Sequence, residues 1–367
     1  MTEPLRVLQI VPNMHAAGLE TLIMNIYRNI DRDKLQFDFL VHYKERHFYD
    51  DEIEKLGGHI YRLSFREDGN ILKYLKDLNV FFGKHKYDIV HCHMASTAIF
   101  TLGFAKLYGV KYRILHSHNS NTDNTVKGRF KNLLLKISKI FANRYFSCGV
   151  EAGKFLYGNA KFEVIHNAID IDTFSKAERK HDSVLDTLQG KFVIGHVGRF
   201  TVQKNHDFLI NVFYEYHLIN ANSILVLIGE GELENSIKEK VDRLGIKDSV
   251  IFYGTSNHME RIYKWFNVFV LPSIFEGLPV VGVESQAAGI PCLYSDKITK
   301  EVGFTPLVSF LPIDKGSTVW VDELEKIRNS NYKSEDMTEY IRKAGYEIKT
   351  EALRIQKIYQ SLLDKNM

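Results

Sequence analysis

Two cations and two carboxylates in the second half of the chain are the residues best placed to do chemistry. Arg199 ends a strand-like run in a Gly-Arg turn and Lys204 follows five residues later, while Glu276 lies in a turn-rich loop and Glu284 in the helix after it. A guanidinium offers a bidentate fork and an ammonium a point charge, so these two cations together suit a diphosphate. An acid in the helix behind such a loop can accept hydrogen bonds from ribose hydroxyls. The pattern indicates a nucleoside diphosphate site, although solvated surface cations and a capping acid would also produce it.

The segments around these residues are typical of a nucleotide seat. The apolar run 266–271 predicts a strand, a loop follows, and 280–288 predicts a short helix that Gly289 and Pro291 end. In open parallel sheets, ligands bind at the carboxyl ends of strands, where helix N-termini direct backbone N–H groups at anions. We therefore expect the four charged residues to lie at the carboxyl edge of a sheet.

Strand-like and helix-like segments alternate along the whole chain, which predicts βαβ units and parallel sheets. A chain of 367 residues is too long for one ordinary core. We expect a first domain over 1–172, a polar linker over 173–190, a second domain over 191–345, and a long C-terminal helix over 346–367.

The bulk composition is that of a soluble globular protein, with 45% hydrophobic and 25% charged residues. A net charge of +3 is too small to indicate a nucleic-acid partner. The three cysteines show no metal-ligand spacing and are odd in number, which favours buried free thiols in a reducing compartment. No window is apolar enough to span a membrane or to form a signal-peptide core, so we expect a cytoplasmic protein.

One segment, 126–144, combines basic and apolar residues at helical spacing. It predicts a basic amphipathic helix, which is either a core helix with a solvated face or a contact with an anionic membrane surface. The six cations involved are Lys127, Arg129, Lys131, Lys136, Lys139 and Arg144.

The chain resembles glycosyltransferase family 4, most closely in the runs Phe275-Glu276-Gly277-Leu278-Pro279, with Glu284, and Ala287-Ala288-Gly289-Ile290-Pro291. The family's enzymes are retaining, use nucleotide sugars and have the GT-B fold. This implies an α/β protein with two Rossmann-like doubly wound domains facing a central cleft, whose C-terminal helix crosses back to the first domain. In the family the first Glu of the pair lies by the transferred sugar and the second holds the ribose, which implies these roles for Glu276 and Glu284.

Other family motifs match more loosely. Gly-Arg at 198–199 and Gln-Lys-Asn at 203–205 match the diphosphate site, and Gly229-x-Gly231-x-Leu resembles the step where a helix approaches the nucleotide. The first loop has Ala17-Gly18 where the family has Gly-Gly. The catalytic residues implied are Arg199, Lys204, Glu276 and His118, the last as the loop histidine beside the donor sugar. The donor-binding residues implied are Gly18, Gly198, Gly229, Gly231, Phe275, Gly277, Leu278 and Glu284.

Possible metal ligands occur in short pairs. His91-x-His93 and His116-x-His118 each follow a strand-like run, but neither has a third ligand nearby in sequence. Asp170-x-Asp172 has the form of the metal-binding motif of the other major glycosyltransferase fold. Its surroundings instead match the family's domain crossover, and the same pattern recurs at Asp31-x-Asp33. We therefore expect no metal and no cofactor, because Arg199 and Lys204 can supply the positive charge.

The pattern is most similar to the capsular and exopolysaccharide branch of the family. It implies transfer of a hexose or N-acetylhexosamine from a nucleotide sugar, UDP-linked, to a hydroxyl of a lipid-linked glycan acceptor. Two alternatives stay open. A GT-B nucleotide-sugar epimerase would share the fold, although the spacing of its acids should differ. A non-catalytic GT-B partner subunit would share it too, although it should have lost the charged residues.

Overall fold

A computed structural model describes residues 3–15, 18–94, 97–118, 133–330, 332 and 334–364, with the backbone alone at residue 66. The chain divides into two compact units. The first contains Met1–Ala168 and Ile348–Met367, and the second contains Ile169–Glu347. Each unit has one parallel sheet with apolar clusters on both faces. The α/β class and the doubly wound architecture expected from the sequence are confirmed.

The described residues of the first unit form seven strands: β1 (Leu5–Ile10), β2 (Leu35–Val41), β3 (Ile60–Arg62), β4 (Ile89–Cys92), β5 (Tyr112–Ser117), β6 (Arg144–Ser147) and β7 (Glu163–Val164). Its helices are α1 (Gly18–Asn29), α2 (Asp50–Lys55), α3 (Phe65–Asp68), α4 (Ile71–Lys84), α5 (Ala98–Leu107), a helical stretch over 133–138, α6 (Val150–Tyr157) and the C-terminal helix Ile348–Asp364. The strand order is β3-β2-β1-β4-β5-β6-β7, and every pair is parallel. The order reverses between β1 and β4, where such sheets bind ligands.

The central strands of this sheet are apolar on both faces because both faces are covered. Val7 and Leu8 alternate across β1 and belong to different apolar clusters. The C-terminal helix packs on the first unit beside α1, and its apolar stripe is buried there, including Ile348, Ile355 and Tyr359. Burial of that stripe at a spacing of three to four residues is what attaches this last helix to the sheet.

The second unit has six strands: β8 (Phe192–Val197), β9 (Ser223–Ile228), β10 (Val250–Gly254), β11 (Val268–Leu271), β12 (Cys292–Ser295) and β13 (Val308–Leu311). Its helices are α7 (Ile171–Ser175), α8 (His206–Ile219), α9 (Glu234–Arg243), α10 (Met259–Ile262), α11 (Val280–Ala287), α12 (Thr318–Asn329) and α13 (Thr338–Lys343), with short 3-10 turns at Leu185–Leu188, Val202–Lys204, Lys247–Ser249, Tyr263–Trp265 and Lys300–Val302. The all-parallel order β10-β9-β8-β11-β12-β13 reverses between β8 and β11.

The segment 173–190 is not the linker that its polar composition predicts. It belongs to the second unit, where Leu185 and Leu188 are buried and Phe174 packs against the same apolar cluster. Asp182 also accepts a hydrogen bond of 2.6 Å from the Tyr253 hydroxyl. A few well-spaced apolar residues are enough to anchor a chain that is otherwise charged, and the division between the units falls at residues 168–169 instead.

The basic segment 126–144 does not form one helix to its end. The structure describes its part from residue 133, which is helical only over 133–138, and Arg144 begins strand β6. Pairing with β5 overrides the helical periodicity, since Arg144 lies opposite Ile114 and the Asn143 amide bonds the Lys111 carbonyl. Lys127, Arg129 and Lys131 lie outside the described residues, as does Ala17 of the first loop.

None of the helices in the described part of the chain combines the length and the apolar character needed to cross a bilayer.

Candidate active site

The two loops that follow β8 and β11 carry the cations and the first carboxylate of the predicted site. These strands are neighbours at the point where the strand order of the second unit reverses. Because all strands are parallel, the loops leave the same edge of the sheet. The prediction that these residues lie at a carboxyl edge of a sheet therefore has a direct topological basis.

Lys204 and Glu276 form an ion pair, with Nζ 2.6 Å from Oε1. The side chains are only 16% and 10% exposed, so the pair is poorly screened by water. Gln203 donates its side-chain amide to both the other Glu276 oxygen, at 3.1 Å, and the Phe275 carbonyl, at 2.9 Å. The backbone N–H of Ile274 in turn bonds the Gln203 carbonyl. Gln203 therefore joins the two loops, a bridging contact that its place in the Gln-Lys-Asn motif did not reveal.

The backbone around Lys204 is shaped to bring its ammonium inward. A Cβ at Gly198 would lie 2.9 Å from the Lys204 Cδ, so a glycine leaves room for the lysine stem to lie along the loop. Asn205 follows with a left-handed φ of 56°, which turns the chain from the 3-10 turn into α8, and its amide bonds the Pro272 carbonyl. The loop is thus tied to the β11 loop on both sides of Lys204.

Arg199 is the exposed member of the cation pair. Its side chain forms no ion pair or hydrogen bond with the residues that the structure describes, whereas Lys204 is held by Glu276. The two cations share the β8 loop, as predicted, but Lys204 is largely buried in an ion pair while Arg199 is exposed. An incoming anion would have to compete with Glu276 for Lys204, while the Arg199 fork is already available.

Gly229 and Gly231 let the β9 loop pack against the β8 loop. Gly229 has a φ of 136°, and a Cβ there would lie 2.2 Å from the Gly198 carbonyl oxygen. A Cβ at Gly231 would lie 2.7 Å from the Phe200 carbonyl oxygen. The Phe200 and Leu233 N–H groups complete hydrogen bonds between the loops. Only glycine fits both positions, so close approach of two backbones explains these residues without a ligand.

The β11 loop presents Glu276 from a largely buried frame. Gly277 and Leu278 are buried, while Phe275 is half-buried. Helix α11 begins after Pro279, as the sequence predicts, and carries Glu284 on its second turn. The carboxylates 276 and 284 therefore belong to one continuous loop and helix.

Glu284 is a buried carboxyl group that accepts a hydrogen bond from a side chain. Tyr263 donates its hydroxyl to Oε2 at 3.0 Å. Burial raises the pKa of Glu284 to about 7, and the Tyr263 hydrogen bond opposes this rise only partly. At pH 7 such a carboxyl group is present in both its protonated and its ionised form. It can therefore donate a hydrogen bond or accept one, which suits recognition of hydroxyl groups. Tyr263 was missed because it lies far from Glu284 in sequence, in the 3-10 turn before β11.

Two buried histidines lie beneath the Lys204 loop. His196 Nδ1 donates to the Val270 carbonyl at 2.8 Å, and His206 stacks on Phe200 at 4.1 Å between ring centroids. Burial lowers the pKa of both rings, that of His206 to about 3, and the Lys204 charge acts in the same direction. Both rings are therefore neutral, and they add no charge to the cation loop.

In the first unit, His118 lies in a network of four histidines at the carboxyl ends of β4 and β5. His118 Nε2 is 2.9 Å from His93 Nδ1, and His91 Nε2 is 3.0 Å from His116 Nδ1. The ring of His91 stacks on that of His93, and the ring of His116 on that of His118, with ring centroids 4.1 Å apart in both cases. Burial lowers the pKa of all four rings, that of His118 to about 3, so they are neutral. Of these four histidines, only His118 was predicted from the sequence to lie in the site. Gly18, the other predicted site residue of this unit, begins α1.

Three of these rings, those of His91, His93 and His116, have nitrogens within 4.8 Å of one another, close enough to consider a metal. A metal needs neutral imidazole lone pairs that converge on one point. Here His91 and His93 stack face to face, and their nitrogens are all engaged in hydrogen bonds. The donor set therefore fits a hydrogen-bonded network better than a metal centre.

Comparisons with known proteins bear on the whole chain. A family model described as glycosyl transferases group 1 matches residues 178–344. The putative glycosyltransferase EpsF of Bacillus subtilis (strain 168) is 31% identical over 375 residues, or 98% of each chain. An Escherichia coli UDP-Gal:alpha-D-GlcNAc-diphosphoundecaprenol alpha-1,3-galactosyltransferase is 32% identical over 241 residues, 61% of this chain and 62% of that one.

The solved structures support the fold. Anabaena Alr3699/HepE in complex with UDP-glucose matches with a TM-score of 0.76 over 97% of this chain and 99% of its own, at 14% identity. The resemblance found in the sequence is confirmed, and so is the GT-B architecture of two Rossmann-like sheets. Because the similarity to EpsF runs through both chains almost from end to end, this protein belongs to the group 1 glycosyltransferases.

Proposed function

We propose that this glycosyltransferase moves a hexose or N-acetylhexosamine from a UDP-sugar to a hydroxyl of a lipid-linked glycan, with retention of the anomeric configuration. The observation that carries the proposal is the buried Lys204–Glu276 ion pair, bridged by Gln203, at the strand-order reversal of the second unit. The E. coli relative is named for a UDP-Gal donor and a diphosphoundecaprenol-linked acceptor, and Anabaena Alr3699/HepE was solved with UDP-glucose.

In the proposed reaction, the bond between the anomeric carbon and the diphosphate breaks, the oxygen of an acceptor hydroxyl bonds that carbon, and the hydroxyl proton passes to the leaving diphosphate. Negative charge grows on the leaving group, so preorganised cations stabilise the transition state more than the ground state. Arg199 would hold the diphosphate through its fork, since no described residue competes for it. Lys204 would turn from Glu276 toward the phosphates or share its protons between them. With two cations present, the proposal needs no metal ion.

The carboxyl groups take different parts. Glu276 is held by Lys204 and Gln203, so its oxygens have defined positions from which to accept hydrogen bonds from hydroxyls of the transferred sugar. Glu284, which is buried and whose pKa is raised to about 7, would bind the ribose hydroxyls. His118 would contact the donor sugar. The assignments of Glu276, Glu284 and His118 follow the family resemblance.

The direct test incubates the purified full chain with UDP- and GDP-sugars and a polyprenyl-diphosphate-linked glycan acceptor. We expect acceptor-dependent release of UDP, and a product whose anomeric proton has the donor's configuration by NMR. A donor panel without any acceptor-dependent nucleotide release would contradict the proposal. Interconversion of the free nucleotide sugars would instead favour the epimerase.

Thermal-shift titration separates the two bases independently of turnover. A ligand at a hundred times its dissociation constant stabilises the protein by about 2.7 kcal/mol. We expect UDP to produce a larger shift than GDP at equal concentration. The reverse order would assign the donor to the guanine nucleotides.

We also propose that the basic segment 126–144 brings the enzyme to an anionic membrane, where a lipid-linked acceptor is found. Each cation near such a surface contributes about 1 kcal/mol before screening and ordering. Vesicle sedimentation at two salt concentrations tests this, with Lys127, Lys131 and Lys136 changed to Gln. Lys238, Lys247 and Lys343, changed together to Gln, provide the matched control. Equal sedimentation of both variants and the wild type would show that the segment does not bind membranes.

A further inference from the structure

The four-histidine network begins at one side chain, Gln9 on β1. Its Oε1 lies 2.9 Å from His93 Nε2, and its Nε2 lies 3.5 Å from the Tyr359 hydroxyl. Both contacts are buried. An amide oxygen can only accept, so His93 must carry its proton on Nε2. A neutral ring has a single N–H, and His93 Nδ1 is therefore an acceptor.

That assignment passes to the next ring. His93 Nδ1 lies 2.9 Å from His118 Nε2, and a bare nitrogen can only accept. His118 must donate from Nε2, and its Nδ1 then carries a lone pair. The Nδ1 atom forms no hydrogen bond with the residues that the structure describes, and His118 is half-buried, at the end of β5. This arm of the network ends in a hydrogen-bond acceptor.

The second arm has the opposite polarity. The Gln9 amide N–H donates to Tyr359, which keeps its own hydroxyl proton for donation to His91 Nδ1, 2.6 Å away. His91 then donates from Nε2 to His116 Nδ1, and His116 keeps a proton on Nε2. That last nitrogen is buried and has no hydrogen-bond partner among the described residues. One amide on β1 therefore fixes the proton positions of the His93–His118 row and contacts the other row through Tyr359.

Only the outer end of the first arm is placed to meet a substrate. The cavity beside Gln9, His91, His93 and Tyr359 has a volume of about 10 Å³, which is roughly one water molecule and far too small for a sugar. The inner residues can therefore influence a ligand only through the outer ring, that of His118.

We propose that Gln9 and His93 are positioning residues, which hold His118 in the neutral tautomer protonated on Nε2 so that its Nδ1 accepts a hydrogen bond from a sugar hydroxyl. The tautomer follows from the hydrogen-bond network alone. That its ligand is a sugar hydroxyl rests on the proposed function.

The test records long-range ¹H–¹⁵N spectra of the ¹⁵N-histidine-labelled full chain near neutral pH, where the four rings are neutral. The His118 signals are identified from their loss in His118→Gln. We expect His118 and His93 each in a single form, protonated on Nε2. Protonation of His118 on Nδ1, or a mixture of both forms in the wild type, would overturn the proposal without any variant of the network.

Two variants at His93 separate positioning from packing. His93→Leu removes the acceptor, and we expect a mixture of His118 tautomers and a fall in kcat/KM of about tenfold, the loss of one hydrogen bond. His93→Asn places an amide oxygen near the position of Nδ1, so it should restore the single tautomer and most of the activity. His85→Leu, outside the network in the same unit, should change neither. A folded His93→Asn as impaired as His93→Leu would contradict the proposal.

The two proposals fail separately. If the His118 tautomer is as stated but no transferase activity is found with any donor, the proposed function fails and the network stands. If the enzyme is active but His118 is protonated on Nδ1, the positioning role fails and the function stands.

Discussion

The two units of this protein have the same strand order around the reversal point, but the side chains there are charged in the second unit and neutral in the first. In the second unit the β8 and β11 loops bring together full charges, Lys204 and Glu276, at 2.6 Å, and the β8 loop also carries Arg199, which has no ion-pair partner among the described residues. In the first unit the β4 and β5 ends carry neutral histidines linked by hydrogen bonds. A charged site suits a diphosphate, whereas a neutral polar site suits the hydroxyls of a sugar. The strand order thus sets the place of the charged site in the second unit, whereas in the first unit the histidines lie on β4, at the reversal, and on its neighbour β5.

The largest effect is expected from Arg199, the exposed cation of the β8 loop. Arg199→Ala should lower kcat by about two to three powers of ten, the range for removing one preorganised charge donor. Arg199→Lys should recover little of this, because the bidentate fork is lost. Steady-state kinetics with a saturating donor provides the measurement. Arg243→Ala, also exposed and in the same unit, is the matched control and should be active. Near-normal turnover in Arg199→Ala would remove the diphosphate from the β8 loop.

The Lys204–Glu276 pair should affect both turnover and stability. Lys204→Ala should lower kcat about as much as Arg199→Ala, since each supplies one charge. Unlike Arg199→Ala, it also leaves a buried carboxylate without its ion-pair partner, and should lower the free energy of unfolding by about 1–3 kcal/mol. Glu276→Gln should be severely impaired in turnover but remain folded, because Gln203 can still bond the new amide oxygen.

A double-mutant cycle with Lys204→Met and Glu276→Gln measures this coupling in urea unfolding. We expect the double variant to lose less free energy of unfolding than the sum of the losses in the two single variants. Strict additivity would mean that the ion pair does not couple the two loops.

The charged and neutral units were not equally visible in the sequence. Arg199, Lys204, Glu276 and Glu284 stood out because their types and spacing are unusual near strand ends. The histidine network did not, because each His-x-His pair is ambiguous alone. What joins them is the alignment of β4 beside β5, and contacts with Gln9 and Tyr359 that are far away along the chain. Local spacing cannot show such contacts.

The fold itself could largely be predicted from the sequence, because strand and helix periodicities are local and strong. The errors lie where tertiary contacts override composition. The 173–190 segment looks like a linker until Leu185 and Leu188 find an apolar cluster to enter. Arg144 continues a helical pattern, yet it joins a sheet because β5 offers it a pairing partner.

Glu284 should give the second unit a pH dependence opposite to that of neutral histidines. Its pKa is raised from 4.5 to about 7, so the folded state binds the proton more tightly than the unfolded state. The resulting stability is fully present below about pH 4.5 and is lost as the pH rises through about 7. Glu284→Gln, which cannot ionise, should lack this loss and be more stable than the wild type at about pH 8, while its KM for the donor rises. Melting temperatures at about pH 5 and pH 8 check this sign; a wild type and variant that change in parallel would contradict it.

The smallest expected effects come from a matched pair of buried tyrosines, one in each unit. Tyr263 donates to the Glu284 carboxyl group and Tyr359 donates to neutral His91. Each change to Phe removes one hydroxyl and should cost about 1 kcal/mol of stability. The difference should appear with pH. Without its hydrogen bond from Tyr263, the pKa of Glu284 should rise further, so the cost of Tyr263→Phe should grow between about pH 6 and pH 9. His91 stays neutral over this range, since burial holds its pKa well below 6.5, and the cost of Tyr359→Phe should stay constant. Urea unfolding of both variants and the wild type across this range measures the two slopes. A slope for Tyr359→Phe equal to that for Tyr263→Phe would mean that the two sites do not differ in charge.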